Sequence, residues 1–152
     1  MDRVNERSRV LIVEDDPTFG SFWVRLFMEL GVTNYTLLSD PVVAMRLLEH
    51  EDFDLLISDV IMPRMNGYEL AKFASRHNPK MTILLTTGYR IDLSHFDLEG
   101  CRFHILRKPY ENISEIKKLI IHLLNGEDVF EDASDDSVSE NEDYPLVTEW
   151  KL

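Results

Sequence analysis

The chain is predicted to fold as an α/β domain whose parallel sheet is covered by helices on both faces. Three observations lead there. Short, wholly apolar runs such as Val10-Leu11-Ile12-Val13 and Leu55-Leu56-Ile57 alternate with segments of helical periodicity. The runs are continuous rather than alternating, which marks strands buried on both sides. Polar residues able to do chemistry (Asp15, Asp16, Asp59, Thr87 and Lys108) fall at the carboxyl ends of those runs, the edge where open parallel sheets bind ligands.

Residues 9–13 read as the first strand. Phe19, Phe22, Trp23, Leu26, Phe27 and Leu30 then follow the spacing of one buried helical face. Asp16-Pro17 supplies a capping acid and a first-turn proline, and Gly31 a stop. Tyr35–Leu38 is the second strand. Ser39-Asp40-Pro41 starts a second helix whose apolar face carries Val42, Met45 and Leu48. Leu55–Ser58 is the third strand, with Asp59 next. Pro63–Gly67 leads into a third helix through Tyr68, Leu70, Ala71, Phe73 and Ala74, ending before Asn78-Pro79. Met81–Thr86 is the fourth strand, and a short, weak helix is expected over Ile91–Leu98, stopped by Gly100. Phe103–Leu106 is the fifth strand. Ile113, Ile116, Leu119, Ile120, Leu123 and Leu124 line a final helix that ends at Asn125-Gly126. Five strands alternating with five helices call for parallel crossovers, with the third strand and Asp59 at the centre of the sheet.

The 152 residues suffice for one domain and an extension. The formal charge of −12 is uneven: residues 126–152 hold ten acids and only Lys151, a net −9 of that total. This stretch reads as an acidic tail, partly mobile or docked, with Val129-Phe130 and Tyr144–Trp150 as apolar interruptions. The tail cluster is expected to pack near the weak fourth helix, the fifth strand and the last helix. Such a balance argues against nucleic-acid binding, which needs surplus cations. The single Cys101 excludes an internal disulfide. The absence of an apolar leader or an eighteen-residue apolar run points to a cytoplasmic chain with no membrane association. The five histidines share no ligand spacing, so a transition-metal site is not expected.

Several carboxylates held together repel one another, and a hard divalent cation such as Mg²⁺ relieves that. Asp59 is then placed to attack phosphorus as a carboxylate nucleophile. Lys108 neutralises charge on the transferring group, and Thr87 donates a hydroxyl hydrogen bond to it. Gly88 is expected to let that backbone come close to the phosphoryl group. The plain reading of Asp16, a helix cap, is compatible with its being a ligand as well. Thr86 reads as core.

Glu14-Asp15-Asp16, Asp59-Val60-Ile61-Met62-Pro63-Arg64-Met65-Asn66-Gly67, Thr86-Thr87-Gly88 and Lys108-Pro109 together resemble a CheY-like response-regulator receiver domain over about residues 8–125. The resemblance implies a flavodoxin-like (βα)5 three-layer sandwich with strand order 2-1-3-4-5. It implies that Asp59 accepts phosphate from the phosphohistidine of a sensor histidine kinase or a phosphotransfer protein. Mg²⁺ would be held by Asp15, Asp16, Asp59 and the backbone carbonyl of Ile61, with Thr87 and Lys108 contacting the phosphoryl group. A switch region of Thr87, Tyr89 and Ile105 is implied too, although Ile105 stands where receivers usually carry an aromatic residue. Such a chain is a phosphoacceptor that loses its own phosphate rather than a turnover enzyme, and it signals to a downstream protein target. A homodimer through the last helix or the tail is allowed. A phosphorylation-independent interaction module of the same fold is the competing reading. A dehalogenase-type phosphatase would want a second acid where Ile61 stands.

Overall fold

The computed structural model describes residues 7–88 and 103–126, together with the backbone of 148–150. The helix expected over Ile91–Leu98, the Tyr89 position and most of the acidic tail lie outside the described residues.

Five parallel strands, β1 (Val10–Val13), β2 (Tyr35–Leu38), β3 (Leu55–Asp59), β4 (Thr82–Thr87) and β5 (Phe103–Arg107), lie in the order β2-β1-β3-β4-β5. This is the flavodoxin-like order. Asp59 and Thr87 are the last residues of their strands rather than the first beyond them. A sixth strand, β6 (Thr148–Trp150), pairs antiparallel with the outer edge of β5.

Four helices are described: α1 (Pro17–Leu30), α2 (Pro41–His50), α3 (Gly67–His77) and α4 (Ile113–Leu124). Their starts follow the side chains that satisfy the free N–H groups of a first turn. Asp16 Oδ1 accepts from Thr18 N at 2.8 Å, Asp40 Oδ1 from Val42 N at 2.9 Å, and Asn66 Oδ1 from Glu69 N at 2.9 Å. Gly31, with φ of 74°, ends α1 in the left-handed conformation that glycine adopts without steric cost.

Because successive side chains of a strand point to opposite faces, β1 sends Leu11 and Val13 to one side and Val10 and Ile12 to the other. The first side packs against Ala44 and Leu48 of α2 and Tyr68, Leu70, Ala71 and Ala74 of α3. The second packs against Trp23, Leu26 and Phe27 of α1 and Ile116, Leu119, Ile120 and Leu123 of α4. Each large side chain buried this way contributes about 1.5–3 kcal/mol. Two periodicity expectations need correction. Ile113, the first residue of α4, is 47 % exposed and borders a cleft with Phe22 and Leu26 instead of joining the core. On α2 the buried residues are Pro41, Ala44 and Leu48, with Val42 and Met45 at the margin.

At the opposite end of the strands, Ser8 Oγ donates to the carbonyl of Leu124 at 3.0 Å. That bond joins the segment entering β1 to the last turn of α4 and satisfies a helix-end carbonyl.

Candidate functional site: an acidic pocket at the carboxyl edge

Strand pairing brings the predicted residues together. Asp59 is in register with Thr86, and Thr87 with Arg107. The ladder continues past the strand ends, with Val60 N donating to Thr86 O at 2.9 Å and Lys108 N to Thr87 O at 2.8 Å. Glu14 N donates to Leu38 O at 3.0 Å on the other flank. Backbone bonding therefore fixes where β1, β3, β4 and β5 release their first loop residues.

Lys108 stands between two acids. Its Nζ donates to Glu14 Oε2 at 3.0 Å and lies 3.3 Å from Asp59 Oδ2. The same ammonium sits 3.9 Å above the Phe19 ring centroid, an additional attraction for a cation. Phe19 belongs to an aromatic nest with Phe22, Trp23 and Tyr110, Tyr110 packing 5.3, 4.4 and 5.3 Å from their centroids. This apolar bed removes water from one side of the lysine and strengthens its electrostatic pairing.

Asp59 is 9 % exposed and Glu14 4 %. Burial raises both carboxyl pKa values above the ordinary range, and Lys108 pulls each part of the way back. Asp59 Oδ1 also accepts a long bond from Ile61 N at 3.4 Å. Burial raises the hydroxyl pKa of Tyr110 as well.

Glu14, Asp15 and Asp59 each offer a carboxylate oxygen, and the three oxygens lie within 4.8 Å of one another. The membership differs from the expected ligand set by one residue. Asp16 is not in this cluster; its carboxylate caps α1 through Thr18 N. Glu14 takes its place, because β1 ends at Val13 and the next residue is still drawn inward. Its other oxygen, Oε1, accepts from Asp16 N at 3.1 Å and so braces the turn. The signal was present in Glu14-Asp15-Asp16, where the cap function of Asp16-Pro17 already engages the third acid. An all-carboxylate donor set of hard oxygens, partly open to solvent through the exposed Asp15, fits Mg²⁺.

The remaining site residues sort as follows. Thr87 is 2 % exposed at the end of β4, while Thr86 is fully buried. Ile61 lies in the loop after β3 with its side chain 56 % exposed. Ile105 is buried on the α2–α3 side of the sheet. Within the protein, a close approach of glycine to backbone is found at Gly67. A Cβ at Gly88 would meet only Lys108 Cβ, at 3.9 Å, an ordinary contact. A Cβ at Gly67 would overlap the carbonyl oxygen of Asp59 and lie 2.9 Å from Val60 Cα. Gly67 N donates to Val60 O at 2.8 Å, so the first residue of α3 is laid directly on the backbone carrying Asp59. Arg64, with φ of 73°, turns the intervening loop, and its Nη1 pairs with Asp40 Oδ2 at 2.8 Å.

Beside the acids, a cleft of about 530 Å³ runs between α1 and the end of β2, lined by Asp15, Val24, Met28 and Leu37 among others. No helix among the described residues is long and apolar enough to cross a membrane.

Comparison with known proteins agrees with this geometry. The family model for the response regulator receiver domain matches residues 10–120. The response regulator receiver protein CpdR of Brucella abortus is 32% identical over 117 residues, covering 74% of this chain and 97% of CpdR. The Regulator of RpoS of Escherichia coli K12 is 30% identical over 76% of this chain but only 34% of its own length. Among solved structures, the receiver domain of the hybrid histidine kinase CckA superposes with a TM-score of 0.62 at 29% identity, covering 76% of this chain and 98% of that one. On these matches, and on five parallel strands gathering the acids and the lysine at one edge, the chain belongs to the CheY-like response regulator receiver domains of two-component signalling.

Proposed function

We propose that Asp59 accepts a phosphoryl group from the phosphohistidine of a sensor histidine kinase or phosphotransfer protein, and that the phosphorylated domain signals to a protein partner. The observation that carries this reading is the setting of Asp59: a desolvated carboxylate with a lysine at 3.3 Å and two further acids around it. An Asp59 oxygen forms the bond to phosphorus, the P–N bond of the donor breaks, and the leaving imidazole keeps the electron pair and is protonated from water. Lys108 neutralises charge on the phosphoryl oxygens, exchanging part of its contact with Glu14 for contact with the incoming group. Glu14, Asp15 and Asp59 would hold Mg²⁺, with Ile61 contributing its carbonyl, and the ion would supply further charge neutralisation. Thr87 would donate to the same phosphoryl group. The acyl phosphate is lost to water, so the chain acts as a phosphoacceptor rather than a turnover enzyme.

Incubation of the full chain with acetyl phosphate and Mg²⁺ tests this by intact mass. One added phosphate is expected, absent in Asp59→Asn and absent when the metal is chelated. No phosphate on the wild-type chain, or an undiminished phosphate on Asp59→Asn, overturns the reading.

A further inference from the structure

In the five-strand parallel sheet β5 is an edge, and an edge strand presents a row of backbone N–H and C=O groups open to pairing. The chain covers this edge itself. Thr148–Trp150 lies antiparallel along it, with Phe103 opposite Trp150, His104 opposite Glu149 and Ile105 opposite Thr148. This is the sole antiparallel pairing among the described strands. Every other strand of the sheet has four to six residues, whereas β6 has three. Three residues make few ladder bonds, and each adds little net stability in water. The segment is covalently linked to the domain through residues 127–147. A tethered strand competes as though present at about millimolar concentration, yet it remains displaceable.

We propose that the outer edge of β5 is a strand-acceptor site, closed in cis by the chain's own Thr148–Trp150. A protein partner that contributes an extended strand at this edge must first displace that segment. Main-chain pairing would supply the affinity, as in other cases of strand addition. The proposal does not depend on phosphorylation of Asp59 and can be tested on the unmodified chain.

The test uses the 152-residue chain and two single variants, Thr148→Pro and Glu149→Pro. N–H groups alternate in direction along a strand, so one of the two removes a group facing β5, and proline cannot join the ladder in either case. Amide exchange and binding of a labelled synthetic peptide spanning residues 144–152 are the readouts. In the wild-type chain, outward-facing β5 amides should be protected and the peptide should bind weakly. In at least one variant, protection should fall about tenfold or more and the peptide should bind at least about tenfold more tightly. Equal β5 exchange in all three chains, or peptide binding that is equal in all or absent from all, overturns the proposal. A wild-type dimer whose β5 protection disappears on dilution also overturns it, because the strand would then come from a second copy.

Discussion

Gly67→Ala and Gly20→Ala add the same methyl group near the starts of two helices, and their effects should have opposite signs. Alanine is favoured over glycine in a helix by about 0.5–1 kcal/mol, and that gain applies fully at Gly20. There the new Cβ meets Leu37 Cδ2 at 3.4 Å and Cδ1 at 3.9 Å, ordinary contact with the end of a movable side chain. At Gly67 it would overlap the Asp59 carbonyl oxygen and press on Val60 Cα at 2.9 Å. These are backbone atoms held by Val60 N–Thr86 O at 2.9 Å and Gly67 N–Val60 O at 2.8 Å, so no rotamer change relieves the clash. Overpacking of this kind costs about 1–3 kcal/mol and more where the backbone must shift. Net of the helix gain, Gly67→Ala should destabilise by about 2 kcal/mol, from the upper end of that range, and Gly20→Ala should stabilise by about 0.5–1 kcal/mol. Urea unfolding followed by tryptophan fluorescence reads both through the midpoint at constant slope. Gly67→Ala should also weaken Mg²⁺ binding, because relieving the clash moves the strand end carrying Asp59. Equal stability of the two variants, or a stabilised Gly67→Ala, would show that α3 does not rest on that backbone.

Glu14→Gln should weaken Mg²⁺ binding about tenfold or more by removing an anionic ligand. Asp16→Ala should leave Mg²⁺ affinity nearly unchanged and lower stability by about 0.5–2 kcal/mol through loss of the α1 cap; a metal titration that ranks the two the other way restores Asp16 as the ligand. Lys108→Met should destabilise the metal-free chain by about 3 kcal/mol at neutral pH, since it leaves Glu14 and Asp59 buried without their cation. The pH dependence follows from raised folded-state pKa values at Glu14 and Asp59. The folded state holds these protons more tightly than the unfolded chain does. Their contribution is therefore fully present below the ordinary carboxylate values and is lost as pH rises through the raised ones. Without metal, unfolding midpoints should fall as pH rises above the ordinary carboxylate range, more steeply in Lys108→Met and less steeply in Glu14→Gln; identical slopes in all three would contradict that assignment.

The parts of the molecule legible in the amino-acid order are those with a strong local signal. Val10–Val13 and Leu55–Ile57 read as buried strands because nothing polar interrupts them, and the acid after each run marks the functional edge. Asp16-Pro17 and Asp40-Pro41 announce helix starts through a chemistry that needs no tertiary context. The misread details depend on neighbours far along the chain. Whether Glu14 or Asp16 joins Asp59 depends on where β1 stops pairing with β2, a boundary that three consecutive acids leave open. Gly67 looks like an ordinary loop glycine until β3 and α3 are placed against each other. The Phe19 ring under Lys108 is legible only as one face of α1. Strand β6 carries no periodicity in three residues, and its acidic surroundings point toward solvent, so only the open edge of β5 explains it.

The Ser8–Leu124 hydrogen bond has a consequence for how this unit is used. It places the start of β1 beside the end of α4, at the opposite end of the strands from the acids and the lysine. A module with adjoining entry and exit can be spliced into a loop of another protein, or have its own ends joined and be reopened elsewhere, without disturbing the business end. Grafting residues 8–124 between two short linkers should therefore keep the acidic edge assembled while leaving the outer edge of β5 without β6.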